Sequence, residues 1–155
     1  MPRRDSASRL VRATVEDVFA ALVDEAARVT WLPPTGMSAR FEHFDARPGG
    51  GYRLVLTYDE DTGQGKSGSN SDVVTVRFTA VEPPVRIVEV SQFTSDDPAF
   101  AGAMTITWSV EPDVEGALVT VTADDVPDGI SKADHDAGLS SSLENLAAYL
   151  ARRHH

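Results

Sequence analysis

The sequence contains no cysteine among its 155 residues. This absence excludes disulfides, thiolate nucleophiles and cysteine-ligated zinc or iron–sulfur centres. Basic residues are also scarce, since 14 Lys and Arg stand against 24 Asp and Glu, giving a formal net charge of -10. Nucleic acids and anionic membranes attract proteins with a local basic surplus, so we expect neither as a partner.

Long apolar runs are absent as well. The first 12 residues lack the apolar core of a signal peptide, and no segment reaches the roughly 18 apolar residues of a membrane span. The sequence therefore predicts a cytoplasmic protein. A chain of about 150 residues builds one hydrophobic core, so we expect a single domain over residues 1–155. The hydrophobic content of 41% is typical of globular chains.

Several motifs with known chemistry are missing. The chain has no G-x-S-x-G elbow, no H-E-x-x-H helix, no G-x-x-x-x-G-K-[ST] loop and no EF-hand spacing. His43 and His135 are the only histidines within the predicted fold, because His154 and His155 fall in a predicted tail over 153–155. An exposed tail explains that terminal pair better than a metal site does. We expect no metal and no cofactor.

The N-terminal part predicts one strand followed by two short helices. Ser8–Arg12 has strand character, and Thr14-Val-Glu-Asp17 has the form of a capping box that starts a helix of roughly 10 residues. Asp24–Thr30 predicts the second helix. It must end at Trp31-Leu-Pro-Pro34, because a residue that precedes proline is pushed out of the helical conformation.

The middle of the chain has a hydrophobic period of two, which is typical of strands. No helical segment interrupts these strands, so the sheet should be antiparallel, with six or seven strands in total. The polar stretch 59–71 predicts a mobile, exposed hairpin loop. The six predicted strands of this region are 37–44, 52–58, 73–79, 86–90, 104–110 and 118–122.

The last segment predicts a long helix from Ser131 to Arg152. A capping box begins it, and leucines then recur at steps of four, three and four. His135 falls on the same stripe, so its titratable ring should point toward the sheet. Ser142 lies on the flank of the stripe. The N-terminal half of this helix is therefore more polar than the leucine-rich half, as expected beside a cleft with a few polar groups.

These faces predict a ligand cavity between the sheet and the helix, with a hydrogen-bonding role for His135. Other interpretations stay open: the aromatic side chains could simply form the core, and His135 could be an ordinary hydrogen-bonded boundary residue. Trp31 could close the cavity as a lid or pack beside it. The candidate ligand-binding residues are Trp31, Phe41, Tyr52, Leu54, Tyr58, Phe78, Met104, Trp108, His135, Leu139 and Ser142.

Three segments together resemble a known family. They are Phe44-Asp-Ala-Arg-Pro-Gly-Gly-Gly-Tyr-Arg-Leu54, Val81-Glu-Pro-Pro-Val-Arg-Ile-Val88 and His135-Asp-Ala-Gly-Leu-Ser-Ser-Ser-Leu-Glu-Asn-Leu146. In this order they are similar to the activator of heat-shock protein 90 ATPase homologue-like branch of the START-like (SRPBCC) superfamily. The resemblance implies an α+β helix-grip fold, in which a curved antiparallel sheet holds a long C-terminal helix around an apolar cavity. One departure is Gly138-Leu139, where the family commonly has Gly-Trp, so the cavity could differ in shape.

Three functions follow from the resemblance and the residues. The first is binding of a small hydrophobic or amphipathic molecule, lipid-like or polyketide-like, by a monomer or homodimer without catalysis. The second is a cyclase or aromatase reaction in which His135 is the acid or base, although the spacing shows no second group to orient it. The third is an accessory role with a chaperone partner.

Overall fold

The computed structural model describes residues 3–33, 36–59, 71–94 and 97–153. Its seven strands form one antiparallel sheet in the order β1-β7-β6-β5-β4-β3-β2. The elements in chain order are β1 (Arg4–Val11), α1 (Val15–Leu22), α2 (Glu25–Trp31), β2 (Met37–Phe44), β3 (Gly51–Tyr58), β4 (Ser71–Glu82), β5 (Arg86–Phe93), a 3-10 turn (Pro98–Phe100), β6 (Met104–Asp113), β7 (Gly116–Asp124) and α3 (Lys132–Arg153). This arrangement confirms the predicted α+β helix-grip fold.

Both short helices begin at the residues that the sequence indicates. The Thr14 side chain accepts from the backbone amide of Asp17 at 3.1 Å, and the Asp24 side chain accepts from the amide of Ala27 at 3.2 Å. Each bond satisfies an amide that the first turn leaves unpaired. The first helix, α1, has eight residues and is shorter than predicted.

The first strand was placed wrongly by the sequence. It begins at Arg4 and ends at Val11, whereas strand character suggested Ser8–Arg12. Along all eight of its positions β1 pairs with β7, and the pairing extends through the polar residues Arg4, Asp5 and Ser6. Backbone hydrogen bonds to a neighbouring strand thus form at residues where the hydrophobic pattern predicts no strand.

The predicted alternation of the sheet is confirmed, although five strands, β3 to β7, extend beyond their predicted bounds. In β3, Tyr52 and Leu54 are buried, and in β4 Val74, Val76 and Phe78 are buried in phase with them. The first residue of β3 is Gly51, and the space at this position explains why it is glycine. A Cβ atom at that position would lie 2.1 Å from the carbonyl oxygen of Val76, so only glycine fits.

The long helix α3 lies across the sheet and packs on β1, α1 and α2. It starts as predicted, since the Ser131 hydroxyl accepts from the amide of Asp134 at 3.1 Å. It continues through Arg153, so that residue belongs to the helix and not to a tail. The predicted tail residues His154 and His155, and residues 60–70 of the predicted loop, lie outside the described residues.

The two halves of α3 have different surroundings. Leu143, Leu146 and Leu150 in the second half are at most 2% exposed and belong to the main hydrophobic core. The first half, from Asp134 to Ser142, borders a cavity instead. No helix in the described part of the chain is long and apolar enough to cross a membrane.

Candidate functional site

A cavity of about 1050 Å³ lies between the sheet and the first half of α3. Inward-facing residues of β3, β4, β5 and β6 form one wall. The helix and the neighbouring residues Phe100, Gly129 and Ile130 form the rest. This volume is at the upper end of the range, about 300–1,000 Å³, that small-molecule sites occupy.

The structure brings most of the sequence-predicted site residues together around this cavity. Three of the eleven, Trp31, Phe41 and Phe78, are not among the residues that line it. The eight that do line it are Tyr52, Leu54, Tyr58, Met104, Trp108, His135, Leu139 and Ser142.

Trp31 packs inside the core and does not form a lid. Its side chain is fully buried, and its indole Nε1 donates to the carbonyl oxygen of Ala21 at 2.9 Å. The ring meets the ring of Trp108 edge to face, with centroids 5.3 Å apart. Of the two alternatives for this residue, packing beside the cavity is therefore the observed one.

Phe41 and Phe78 belong to an aromatic cluster behind the cavity wall. Phe41 meets Tyr52 edge to face at 5.1 Å, and Phe78 lies 5.6 Å from the same ring, measured between centroids. Phe44 stacks on Tyr52 at 5.5 Å and completes the group. Phe41 and Phe78 therefore pack as core residues, which is the alternative interpretation of these aromatic side chains. A ligand in the cavity could contact them, as predicted, only if the wall opened.

Sequence reasoning missed the three buried polar residues that the strands contribute to the cavity wall. Asp72, Glu89 and Ser91 all line it, and each is at most 3% exposed. The signal was available, because Asp72 is in phase with buried Val74, and Glu89 and Ser91 are in phase with buried Ile87. A polar residue in an inward position of a strand predicts either a buried hydrogen bond or a site.

Two residues of the wall belong to a closed cluster of charged and polar groups, which we call the Arg28 cluster: Arg28, Tyr52 and Glu89. The Arg28 guanidinium donates from Nη2 to Glu89 Oε1 at 2.5 Å and from Nη1 to the Tyr52 hydroxyl at 3.1 Å. Its Nε donates to the carbonyl oxygen of Leu22 at 2.6 Å, and the Tyr52 hydroxyl donates to Glu89 Oε2 at 3.1 Å. Every member thus has a partner within the cluster.

Aromatic rings complete the surroundings of the Arg28 cluster. Arg28 is fully buried, and its Cζ lies 5.4–5.8 Å from the centroids of four rings, a distance at which cations and π faces attract. Burial lowers the pKa of Arg28, but the charges and hydrogen bonds of Glu89 and Tyr52 together outweigh this effect and raise that pKa. Burial, reinforced by the charge of Glu89, raises the pKa of Tyr52 far above its usual value. The guanidinium and the phenol therefore keep their protons at all ordinary pH values.

A second charged cluster borders the cavity itself, and we call it the His135 cluster: Arg3, Asp5, Lys132 and His135. Asp5 is fully buried and lies 2.7 Å from His135 Nδ1 through its Oδ2 atom. It also accepts from Arg3 at 3.1 Å and from Lys132 at 3.3 Å. Burial would raise the pKa of Asp5, but these three hydrogen bonds outweigh it and hold that pKa below its usual value.

This geometry corrects the expectation that no second group orients His135. An ionised carboxylate can only accept hydrogen bonds, so the proton on His135 Nδ1 is directed to Asp5, and in the neutral ring the lone pair is on Nε2. The ring lines the cavity and its side chain is 14% exposed. Asp5 was missed because polar β1 was predicted to start after it, yet it lies in phase with buried Val11.

Within the described ranges, no three His, Asp or Glu side chains converge so as to hold a metal ion. The polar side chains that line the cavity can form hydrogen bonds, and the imidazole of His135 can also accept or donate a proton. Asp5 fixes the tautomer of His135, and the Arg28 cluster holds the wall of the cavity in place.

Comparison with known proteins gives the same architecture. The family model for "Activator of Hsp90 ATPase homolog 1-like protein" matches residues 12–151. Protein CV1439 from Chromobacterium violaceum is 27% identical with a TM-score of 0.81, over 94% of this chain and 96% of that one. The AHSA1 protein of Silicibacter pomeroyi is 24% identical with a TM-score of 0.80, over 98% of this chain and 100% of that one.

A larger protein shares the fold as well. DynU16, a protein of the dynemicin biosynthetic locus, is 21% identical with a TM-score of 0.68, over 96% of this chain and 47% of that one. No curated protein matches the chain.

Proposed function

The chain belongs to the family of Activator of Hsp90 ATPase homolog 1-like proteins, and we propose that its cavity binds a small hydrophobic or amphipathic molecule. The observation that carries this proposal is the cavity of about 1050 Å³ in a chain of 155 residues. Protein interiors pack densely and contain few voids larger than a water molecule. A space of this size between the sheet and a helix therefore supports the proposal of a bound molecule.

The composition of the wall supports the same proposal. Its greater part is apolar, with a smaller number of polar groups such as Tyr58, Ser142 and His135. Apolar walls supply affinity through buried area, and a few fixed polar groups supply orientation. The remaining apolar lining includes Leu54, Leu56, Val74, Val76, Met104, Ile106 and Trp108.

The proposal is tested by filling the cavity from α3. Gly138 lines it, and a Cβ atom at that position would meet no described atom within 4 Å. We expect Gly138→Phe to weaken binding of 1-decanol at least about tenfold, which corresponds to about 1.4 kcal/mol. Binding is followed by tryptophan fluorescence, because Trp108 is part of the cavity wall.

The matched control is Gly138→Ala, which adds a methyl group and leaves most of the cavity open. It should bind 1-decanol as the unaltered protein does, with a slightly higher melting temperature, because alanine favours helix over glycine. Absence of binding by the unaltered protein contradicts the proposal. Equal binding by Gly138→Phe, folded as judged by circular dichroism, contradicts the location of the site.

A second candidate function is acid–base catalysis by His135. The observation that favours it is the 2.7 Å contact between Asp5 Oδ2 and His135 Nδ1 beside the cavity. A histidine oriented by a carboxylate can accept a proton at Nε2 from a bound molecule, such as the hydrogen on the carbon next to a ketone. That transfer leaves an enolate and an imidazolium, and return of the proton reverses it.

Deuterium exchange tests this second candidate directly. In heavy water, bound 2-decanone should gain deuterium next to its carbonyl faster with the unaltered protein than with His135→Gln. The affinity for 2-decanone should be similar in both proteins, because the apolar wall is unchanged. Equal exchange rates at saturating ketone would reject catalysis by His135 and leave the binding function standing.

A further inference from the structure

The two ring nitrogens of His135 have different surroundings. Nδ1 lies 2.7 Å from Asp5 Oδ2, whereas Nε2 is outside the hydrogen bonds of the His135 cluster, in a ring that lines the cavity. A neutral imidazole has one nitrogen that donates a hydrogen bond and one that accepts. Because the carboxylate of Asp5 can only accept, the nitrogen that the neutral ring leaves for a ligand is an acceptor.

Two serine hydroxyls of the cavity wall have the same polarity. Ser91 donates its proton to the carbonyl oxygen of Met104 at 3.2 Å, and Ser142 donates to that of Leu32 at 2.6 Å. Each hydroxyl thus uses its one proton inside the protein and keeps only acceptor lone pairs. Trp108 also lines the cavity, but its donor nitrogen Nε1 is itself buried. These groups favour a ligand whose head donates a hydrogen bond.

A proton on Nε2 reverses the polarity of His135. The nitrogen then donates instead of accepting, while Nδ1 keeps its proton directed to Asp5. An imidazole ordinarily changes its charge between pH 5 and 8. Burial would raise the pKa of Asp5, but its hydrogen bonds to His135, Lys132 and Arg3 hold that pKa below 3.8. Asp5 therefore stays ionised over this range and balances the charge of an imidazolium.

Several other charged or titratable groups surround His135. The hydrogen bonds of Lys132 to Asp136 and Asp5 raise its pKa, so it also keeps its charge between pH 5 and 8. Carboxylates, phenols and guanidinium groups ordinarily titrate outside that range. The groups concerned are Arg3 and Asp5 beside β1, Lys132, Asp134 and Asp136 on α3, Tyr58, Asp72 and Glu89 on the strands that share the cavity, and Arg28 of α2, which pairs with Glu89.

From this geometry we propose that His135 selects ligands by the hydrogen-bond polarity of their head group: near pH 8 the cavity prefers an amphiphile that donates, such as an alcohol, and near pH 5 it also takes one that only accepts, such as a ketone. This proposal rests on the binding function above and specifies its ligand class and regulation. The hydroxyl of the ligand would donate to Nε2, and its alkyl chain would lie along the apolar wall.

Two probes with the same carbon skeleton, 2-decanol and 2-decanone, test the proposal. Both are uncharged, so a pH-dependent affinity reports on the protein. Titrations followed by tryptophan fluorescence at about pH 8 and about pH 5 give the ratio of alcohol to ketone affinity. We expect this ratio to be about three- to tenfold higher at the higher pH, the effect of one net hydrogen bond. An equal ratio at both pH values contradicts the selection by polarity, while the binding function stands. If neither probe binds at either pH, the binding function fails as well.

Histidine variants assign the effect to one ring. The amide of His135→Asn can donate to Asp5, but it does not titrate and has no nitrogen at the position of Nε2, so the ratio should be the same at both pH values. His135→Gln is the second variant if His135→Asn does not fold, as judged by circular dichroism. The matched control is His43→Asn, at an exposed position of β2 outside the cavity lining, which should keep the full pH dependence. A pH-dependent ratio that persists without His135, or that is lost without His43, would overturn the proposal.

Discussion

The molecule contains two charged clusters that differ in what surrounds them. The Arg28 cluster is closed, because each of its polar groups bonds to another member or to the backbone, and aromatic rings enclose it. The His135 cluster is built around an equally buried acid, Asp5, but its imidazole borders the cavity and its lysine reaches solvent. Both clusters satisfy their charges and contribute residues to the cavity wall, yet only His135 has a ring nitrogen, Nε2, outside the hydrogen bonds of its cluster.

This difference separates two uses of buried charge. A closed cluster supports one arrangement of the wall and has nothing left to offer a ligand. An open cluster also holds a side chain in position, but a bound molecule can contact it and a change of pH can alter it. We therefore expect mutations in the Arg28 cluster to act mainly on stability and mutations in the His135 cluster to act partly on binding.

The largest effect should come from removing one partner of the closed cluster. Arg28→Ala leaves the Glu89 carboxylate buried without its cation, which should cost about 3–5 kcal/mol of unfolding free energy. Urea denaturation at pH 7 measures it. The double variant Arg28→Met with Glu89→Met should recover much of the loss, because no charge is then left unpaired. A loss below about 1 kcal/mol in the single variant would show that this pair does not hold the wall.

A smaller and pH-dependent effect is expected at Asp5. Asp5→Asn removes the acceptor that three side chains share and should cost about 1–3 kcal/mol at pH 7. The pKa of Asp5 is below its usual 3.8 in the folded protein, so its ionised form stabilises the fold above that value. This contribution is lost as the pH falls through the folded-state pKa.

The pH profile of unfolding checks this second prediction. The stability difference between the unaltered protein and Asp5→Asn should be constant near neutral pH and shrink below pH 3.8. Glu111→Gln, an exposed residue away from both clusters, is the control and should show no comparable difference. A difference that grows on acidification would have the wrong sign for a carboxylate with a lowered pKa.

The smallest effect on stability is expected at His135. His135→Gln can still donate to Asp5 and should cost less than about 1 kcal/mol. Its affinity for a hydroxyl-bearing probe such as 1-decanol should fall about three- to tenfold, because Nε2 is no longer available as an acceptor. The comparison variant Leu150→Ala alters the packed half of α3 and should show the reverse pattern, a large loss of stability, about 2–5 kcal/mol, with affinity retained.

Much of the fold follows from local pattern. The period of two along β3 and β4, and the leucine steps along α3, correctly assigned inward faces because apolar side chains repeat where burial demands it. The same rule failed at the start of β1, where Arg4, Asp5 and Ser6 look exposed. Their pairing with β7 depends on residues 116 to 120 positions later in the chain, and a local sequence pattern carries no information about such distant partners.

The apolar residues of the cavity wall could be predicted from the sequence, whereas the buried charged residues could not. Leu54, Met104 and Trp108 follow from alternation and do line the cavity. Arg28 was not among the predicted site residues, and its partner Glu89 lies 61 residues away. Pairing of buried charges over such distances is a property of the folded chain, because each charge is unfavourable inside until the other arrives.

Side-chain nitrogen NMR with saturating 1-decanol tests the contrast between the two clusters most directly. If the account is correct, the imidazole nitrogens of His135 shift on binding, while the Nε resonance of Arg28, bonded to the carbonyl of Leu22, stays in place. A shift confined to Arg28, or an unchanged His135 spectrum in a protein that binds 1-decanol, would contradict the assignment of a closed structural cluster and an open ligand-facing one.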